Sequence, residues 1–290
     1  MKVLVFVRAG QVAGELVRRA PAGVHATALG RGDVDLMDPG AGAQAVLARR
    51  PDVVVNAAAW TAVDAAESEP GEAHRLNAEV PAELAEACAR SATPFVHLST
   101  DYVFAGSGMQ PWRTDDPVEP RSVYGRTKLE GERRVLAAHP GSVIVRTSWV
   151  FSALGSNFAR TMLRLGAERD ALAVVADQIG GPTWAGAIAD ACMRIAQARL
   201  AGEGQGGIYH FAGAPDASWA DFAEAIFEQS AAEVVVKRIL TSEYPTPAAR
   251  PLNSRLDCED IQRTFGIARP DWRQDLRVVI AELVNCKEQA

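Results

Sequence analysis

Apolar runs of strand length alternate with longer helical patterns through the first half of the chain, and few folds accept that rhythm. The runs are Lys2–Val7, His25–Gly30, Asp52–Ala58, Pro94–Thr100 and Ser142–Trp149. Helical patterns fall between them at Gln11–Ala20, Ala43–Arg49, Glu72–Ser91 and Tyr124–Ala138. Largely unbroken apolarity suits strands covered on both faces. The alternation predicts a doubly wound parallel α/β sheet with right-handed crossovers, a fold that binds ligands beyond the carboxyl ends of its strands.

After Val150 the rhythm loosens. Helices are expected at Asn157–Glu168, Trp184–Leu200, Ser218–Glu228, Cys258–Phe265 and Trp272–Asn285, with strands at Ala171–Ala176, Gly207–Phe211 and Val234–Leu240. The tract Tyr244–Pro251 is extended loop, because its prolines remove donors and bias their predecessors away from helix. Residues 151–290 therefore read as a smaller α+β lobe, interleaved with a dinucleotide-binding domain of residues 1–150 that also takes in 171–200.

Composition narrows the function classes. The 290 residues are 48% hydrophobic, ample for a large core, and the net charge of −6 leaves no electrostatic footprint for nucleic acid. Cys88, Cys192, Cys258 and Cys286 lie far apart, which fits thiols in a reducing cytosol better than a metal site or a disulfide framework. No stretch approaches the roughly 20 apolar residues of a membrane span. A cytoplasmic protein with no nucleic-acid, membrane or metal partner is expected.

Two stretches carry chemistry. Tyr124-Gly125-Arg126-Thr127-Lys128 opens a helix, so the phenol and the ammonium share a face. A nearby positive charge is expected to lower the phenol pKa from its reference of about 10, tuning Tyr124 to exchange a proton with a carbonyl or alcohol oxygen. Ser99-Thr100-Asp101-Tyr102 ends a strand, where the Thr100 hydroxyl is placed to share that oxygen. The first turn, Val7-Arg8-Ala9-Gly10-Gln11-Val12-Ala13, keeps only the central glycine of the G-x-x-G-x-x-G form. Val7 is the difficulty, since a β-branched residue resists positive φ. After the second strand, Leu29-Gly30-Arg31-Gly32 has no acid at its tip; Arg31 either pairs with a 2′-phosphate or is a solvated loop cation. His97 and His210, inside apolar runs, read as core histidines. Of the six tryptophans, Trp149 and then Trp112 and Trp60 stand where a ligand is expected.

Taken together these segments resemble the extended short-chain dehydrogenase/reductases, and within them the dTDP-4-dehydrorhamnose reductase family. The matching stretches run in the family's order: Gly10-Gln11-Val12, Asp52 to Pro70, Ser99 to Phe104, Tyr124 to Lys128, Arg146 to Val150, Asp177 to Thr183 and Arg250 to Leu256. The resemblance implies a Rossmann-like sheet, NADPH as cofactor with NADH as an alternative, and a small-molecule nucleotide sugar as partner. It leaves a homodimer open. It makes Tyr124 the proton donor to a C4 carbonyl oxygen, Lys128 the holder of the nicotinamide ribose and Thr100 a ligand of the reacting oxygen. Asp101 and Trp149 are implied to contact sugar or nucleotide, and Arg250 and Asn253 the diphosphate. Gly10, Gln11 and Val12 are implied to line the pyrophosphate, Asp35 and Leu36 the adenine, and Ala59, Trp60 and Thr61 the inner cofactor. Two alternatives stand beside a reductase: another nucleotide-sugar reductase, epimerase or dehydratase of the superfamily, and a non-catalytic regulatory subunit.

Overall fold

The computed structural model describes residues 1–288. Six parallel strands form the main sheet: β1 (Lys2–Phe6), β2 (His25–Leu29), β3 (Val53–Asn56), β4 (Phe95–Thr100), β5 (Val143–Thr147) and, later in the chain, β10 (Gly207–His210). Their order is β10-β5-β4-β3-β1-β2, and every pairing is parallel. The chain leaves β1 towards β2 and returns to β3 on the other side. That reversal between β1 and β3 is where a doubly wound sheet opens a crevice.

Alternate side chains of each strand feed opposite faces, as the pleat requires. Val3, Val5, Val53, Val55, Val96, Val143 and Val145 join one core with helices α1 (Gln11–Arg18) and α8 (Ala185–Leu200). Leu4, Phe6, Val54, Phe95 and Ile144 join the other, against α2 (Ala41–Arg49), α5 (Val80–Arg90) and α6 (Val123–Ala138). Between β3 and α5 lie two short helices, α3 (Val63–Ser68) and α4 (Pro70–His74), and a π-helical turn, Arg75–Glu79. The helix expected over Glu72–Ser91 is present as one helical run to Arg90, with that wider turn inside it. Its Asn77 carbonyl lies so close to α6 that a Cβ on Gly131 would sit 2.0 Å from it. Glycine at 131 is what lets α6 approach.

The remaining elements are β6 (Val150–Phe151), α7 (Phe158–Gly166), β7 (Ala171–Val175), β8 (Ile179–Gly180), β9 (Thr183–Trp184), β11 (Ala217–Ser218), α9 (Trp219–Gln229), β12 (Val235–Ile239), β13 (Asn253–Ser254), α10 (Glu259–Phe265) and α11 (Trp272–Glu288). Phe151, Met162, Leu172, Val174, Phe222, Ile226, Trp272 and Leu276 form a separate core. Two placements differ from the sequence reading. Strand β7 pairs with β12 and not with the main sheet, whereas β10, read with the lobe, is the main sheet's edge strand. Short apolar strands carry no signal of which partner they will take. Among the described residues, no helix is long and apolar enough to cross a membrane.

Candidate active site

A cleft of about 600 Å³ opens where β1, β3 and β4 end, roofed by the segment after β5. Its floor at one end is the first turn. Gly10 is the N-cap of α1 in extended conformation, so the first free N–H groups of that helix face the cleft, as an anionic phosphate requires. Gln11 and Val12 follow on the helix; the Asn157 amide donates to Gln11 Oε1 at 3.0 Å and ties the second lobe to the turn. Val7 adopts φ +77°, the conformation that favours glycine.

At the other end stand the residues of the Ser99 and Tyr124 stretches. Ser122 caps α6, accepting from the Gly125 N–H at 3.1 Å, and so fixes the first turn that presents Tyr124. Thr100 donates to Asp101 Oδ1 at 3.1 Å and accepts from the Tyr102 N–H at 3.2 Å. Burial pushes the Tyr124 phenol up to about 12, against a downward pull from the facing Thr100 hydroxyl. The expected lowering by Lys128 is therefore corrected. The Lys128 ammonium is aimed at the Leu98 carbonyl, 2.7 Å away, beside His97, and burial brings its own pKa down to about 8. Burial also raises the Asp101 carboxyl to about 6, and its Oδ2 has no hydrogen-bond partner.

Of the remaining predicted residues, Ala59, Thr61 and Trp149 line the cleft. Trp60, between Ala59 and Thr61, does not line the cleft: Asn77 accepts from its N–H at 2.9 Å and donates to its carbonyl at 3.2 Å, while Asn77 also donates to Thr127 of α6. Trp149 sits at φ +49°, a strained conformation of the kind that gathers at ligand sites, and stacks on Trp219 at 3.6 Å between ring centroids. Arg31, Asp35 and Leu36 lie beyond the end of β2, outside the cleft proper. Arg31 pairs with Asp35 at 3.2 Å, and Leu36 packs on the core under α2. Arg250 bonds Asp64 at 2.5 Å across Tyr102 from the cleft, and its Nη1 is buried without a partner. Asn253 is not free for a ligand. Its amide donates to the Ser107 and Gln110 carbonyls and its oxygen accepts from Arg255, so it ties down a loop.

Thr147, Asn157 and Trp219 line the cleft without having been singled out from the sequence, and Arg8 stands beside it. Thr147 lies at the end of β5, and its hydroxyl has no partner. Asn157 caps α7, accepting from the Arg160 N–H at 3.1 Å. Trp219 begins α9 behind the capping box of Ser218 and Asp221, a sequence signal that was there to find. Arg8, beside the cleft, donates to Asp33 at 2.6 Å and to the Ala28 carbonyl at 3.2 Å.

This geometry defines the class: a Rossmann-type oxidoreductase fold with a tyrosine, a lysine and a strand-end threonine in the cleft that begins at the first turn. The family described as RmlD substrate binding domain matches residues 1–285, and the chain belongs to it. Among its relatives, the dTDP-4-dehydrorhamnose reductase of Sinorhizobium fredii is 44% identical over 290 residues, covering 98% of both chains. That of Burkholderia thailandensis is 44% identical over 297 residues, covering 98% of this chain and 100% of the relative. Among solved structures, a dTDP-4-dehydrorhamnose reductase from Clostridium acetobutylicum superposes with a TM-score of 0.92 at 35% identity, over 98% of this chain and 99% of that one. One from Bacillus anthracis, in complex with NADP, gives 0.91 at 31% identity, over 97% of this chain and 99% of that one.

Proposed function

We propose that the chain reduces the C4 keto group of dTDP-4-dehydrorhamnose (dTDP-4-dehydro-6-deoxy-L-mannose) to give dTDP-L-rhamnose, with NADPH as reductant and NADH as a second choice. One observation carries the reading: a single cleft joins the N-terminus of α1 to Thr100, Tyr124 and Lys128. The relatives' shared name supports the substrate.

The residues present fit the cofactor. The first turn offers free backbone N–H groups, Ala57 and Ala59 leave a flat wall, and Val7 reproduces a glycine's backbone shape. Bound NADPH supplies the hydride. Arg31 and Arg8 would meet a 2′-phosphate, Asp35 and Leu36 would border the adenine, and Gly10, Gln11 and Val12 would hold the pyrophosphate. Ala59, Trp60 and Thr61 would flank the inner part, with Lys128 at the ribose.

Tyr124 protonates the oxygen that becomes an alkoxide. Its phenol, high in pKa in the buried cleft, is held in the protonated form that a reduction needs. Thr100 donates to the same oxygen and orients it, a charge-stabilising role in a site shielded from water. Lys128 replenishes the proton that Tyr124 gives up. Asp101, with a free carboxylate oxygen, accepts from a sugar hydroxyl, and the exposed part of Trp149 stacks on sugar or base. Arg250, paired with Asp64 across Tyr102 from the cleft, would leave that pair to meet a diphosphate oxygen. The cofactor unit is residues 1–150 with α8 and β10, and the rest of 151–290 forms the substrate lobe. The enzyme works in the cytoplasm.

The test is isotopic. With NADPH deuterated at the transferable position, deuterium should arrive at C4 of the rhamnose product. Unlabelled product, or an untouched ketosugar, would refute the assignment.

A further inference from the structure

His97 is fully buried in the middle of β4, yet both its ring nitrogens have polar neighbours. On one side, Asn56 of β3 approaches Nδ1 with its amide nitrogen at 3.1 Å. The orientation of Asn56 is fixed, because its oxygen accepts from the Ala58 N–H at 3.1 Å. An amide nitrogen only donates, so Nδ1 accepts and the ring proton is on Nε2. On the other side, Nε2 faces Lys128 Nζ at 3.5 Å, while that nitrogen donates to the Leu98 carbonyl.

An ammonium has no lone pair for a facing N–H, whereas a neutral amine has one. We propose that His97, held by Asn56 as the Nε2–H tautomer, is a positioning residue for Lys128: it aims an N–H at the amine, fixes the side chain along the cleft floor and favours its uncharged form. Burial lowers the Lys128 pKa to about 8 and holds the His97 ring neutral, so the contact acts on an amine already easy to deprotonate. The other groups around the pair act differently. Glu132, one turn along α6, raises the Lys128 pKa, but it is itself bonded to Arg146 of β5 and Ser99 of β4. Tyr124 stands a turn earlier on the same helix, and Asp101 lines the cleft beyond. The consequence is a lysine that gains and loses a proton close to working pH, where general acid–base exchange is most effective. That consequence for turnover rests on the reductase reading; the contact itself does not.

The chain has four lysines, Lys2, Lys128, Lys237 and Lys287, so 13C-lysine NMR resolves Lys128 in the ligand-free protein. The Lys128 resonance, assigned by its loss in Lys128→Met, should titrate near pH 8 in the wild type. In His97→Asn, which keeps the Asn56 side and withdraws the Nε2 donor, the midpoint should rise by about one pH unit. His97→Gln, which restores a donor at the Nε2 position, should return it towards the wild-type value. The alkaline limb of kcat should move with the midpoint. An unchanged midpoint in a folded His97→Asn protein overturns the proposal. A 15N-histidine spectrum of the wild type needs no variant: a protonated Nε2 and a bare Nδ1 support it, and the reverse tautomer overturns it. Neither NMR reading depends on turnover, so failure here is separable from failure of the reductase reading.

Discussion

Val7 and Gly10 confront each other across the first turn: a Cβ placed on Gly10 would lie 2.7 Å from Val7 Cγ1. The valine is held at φ +77° while its N–H bonds the Leu29 carbonyl at 3.0 Å. The main sheet imposes the turn, and the β-branched side chain bears the strain. Val7→Gly should relieve about 1 kcal/mol of it after the loss of apolar contact is set against it. Thermal unfolding should show a higher Tm, and fluorescence titration a lower NADPH Kd. A lower Tm would mean that the packing of Val7 outweighs its backbone strain.

Tyr124→Phe removes the proposed proton donor and keeps the ring that lines the cleft. We expect kcat to fall by about 10²–10⁴-fold, the ordinary worth of a positioned acid, with little change in NADPH affinity. Comparable turnover by the mutant would take Tyr124 out of the mechanism.

Arg8 and Arg31 lie on either side of the β2 tip, each already paired with a carboxylate, Asp33 or Asp35. A 2′-phosphate bound there would compete with a partly screened ion pair at each. Arg8→Ala and Arg31→Ala should each weaken NADPH by about 5–10-fold and NADH far less. Parallel losses for both cofactors would exclude a phosphate contact.

Asp101 links pH to stability. Its folded pKa, near 6, is raised above the ordinary carboxyl value, so the folded state binds the proton more tightly than the unfolded one. Stability is thus greatest below the unfolded value of about 4 and declines as pH rises to about 6. Asp101→Asn should therefore raise Tm at pH 7.5 by more than at pH 4, by an amount corresponding to about 2 kcal/mol, while turnover falls because a sugar-hydroxyl acceptor is lost. Equal Tm changes at both pH values would deny the linkage.

Arg146 and Glu132 form a buried bidentate pair, 2.9 and 2.7 Å, between β5 and α6. Glu132→Gln strands the guanidinium and should cost about 3–5 kcal/mol by denaturant unfolding. A loss below about 1 kcal/mol would show that water reaches Arg146.

Periodicity was a good guide to the main sheet, because strands buried on both faces are largely apolar, as Val3–Phe6 of β1, Val53–Val55 of β3 and Val143–Val145 of β5 are. It was blind to partners. Nothing in Ala171–Val175 says that it pairs with Val235–Ile239 outside that sheet, and nothing in Gly207–His210 marks an edge strand of it. The site was legible where chemistry needs fixed residue types at fixed spacing, as with Tyr124 and Lys128. It was illegible where long-range packing decides. Trp219 reaches the cleft only because α9 stacks it on Trp149, and Asn253, attractive for its polarity, is consumed in holding a loop. The direction of the Tyr124 pKa was missed for the same reason. Helical spacing brings Lys128 to the right face, but Leu98 and His97, from strand β4, decide where its nitrogen points.

The central claim is tested most directly by following reduced-nicotinamide absorbance with purified protein and dTDP-4-dehydrorhamnose, NADPH and NADH side by side. Steady decay with formation of dTDP-L-rhamnose is expected, faster with NADPH at limiting cofactor. Absence of decay with either cofactor, while the sugar nucleotide still binds, would contradict it.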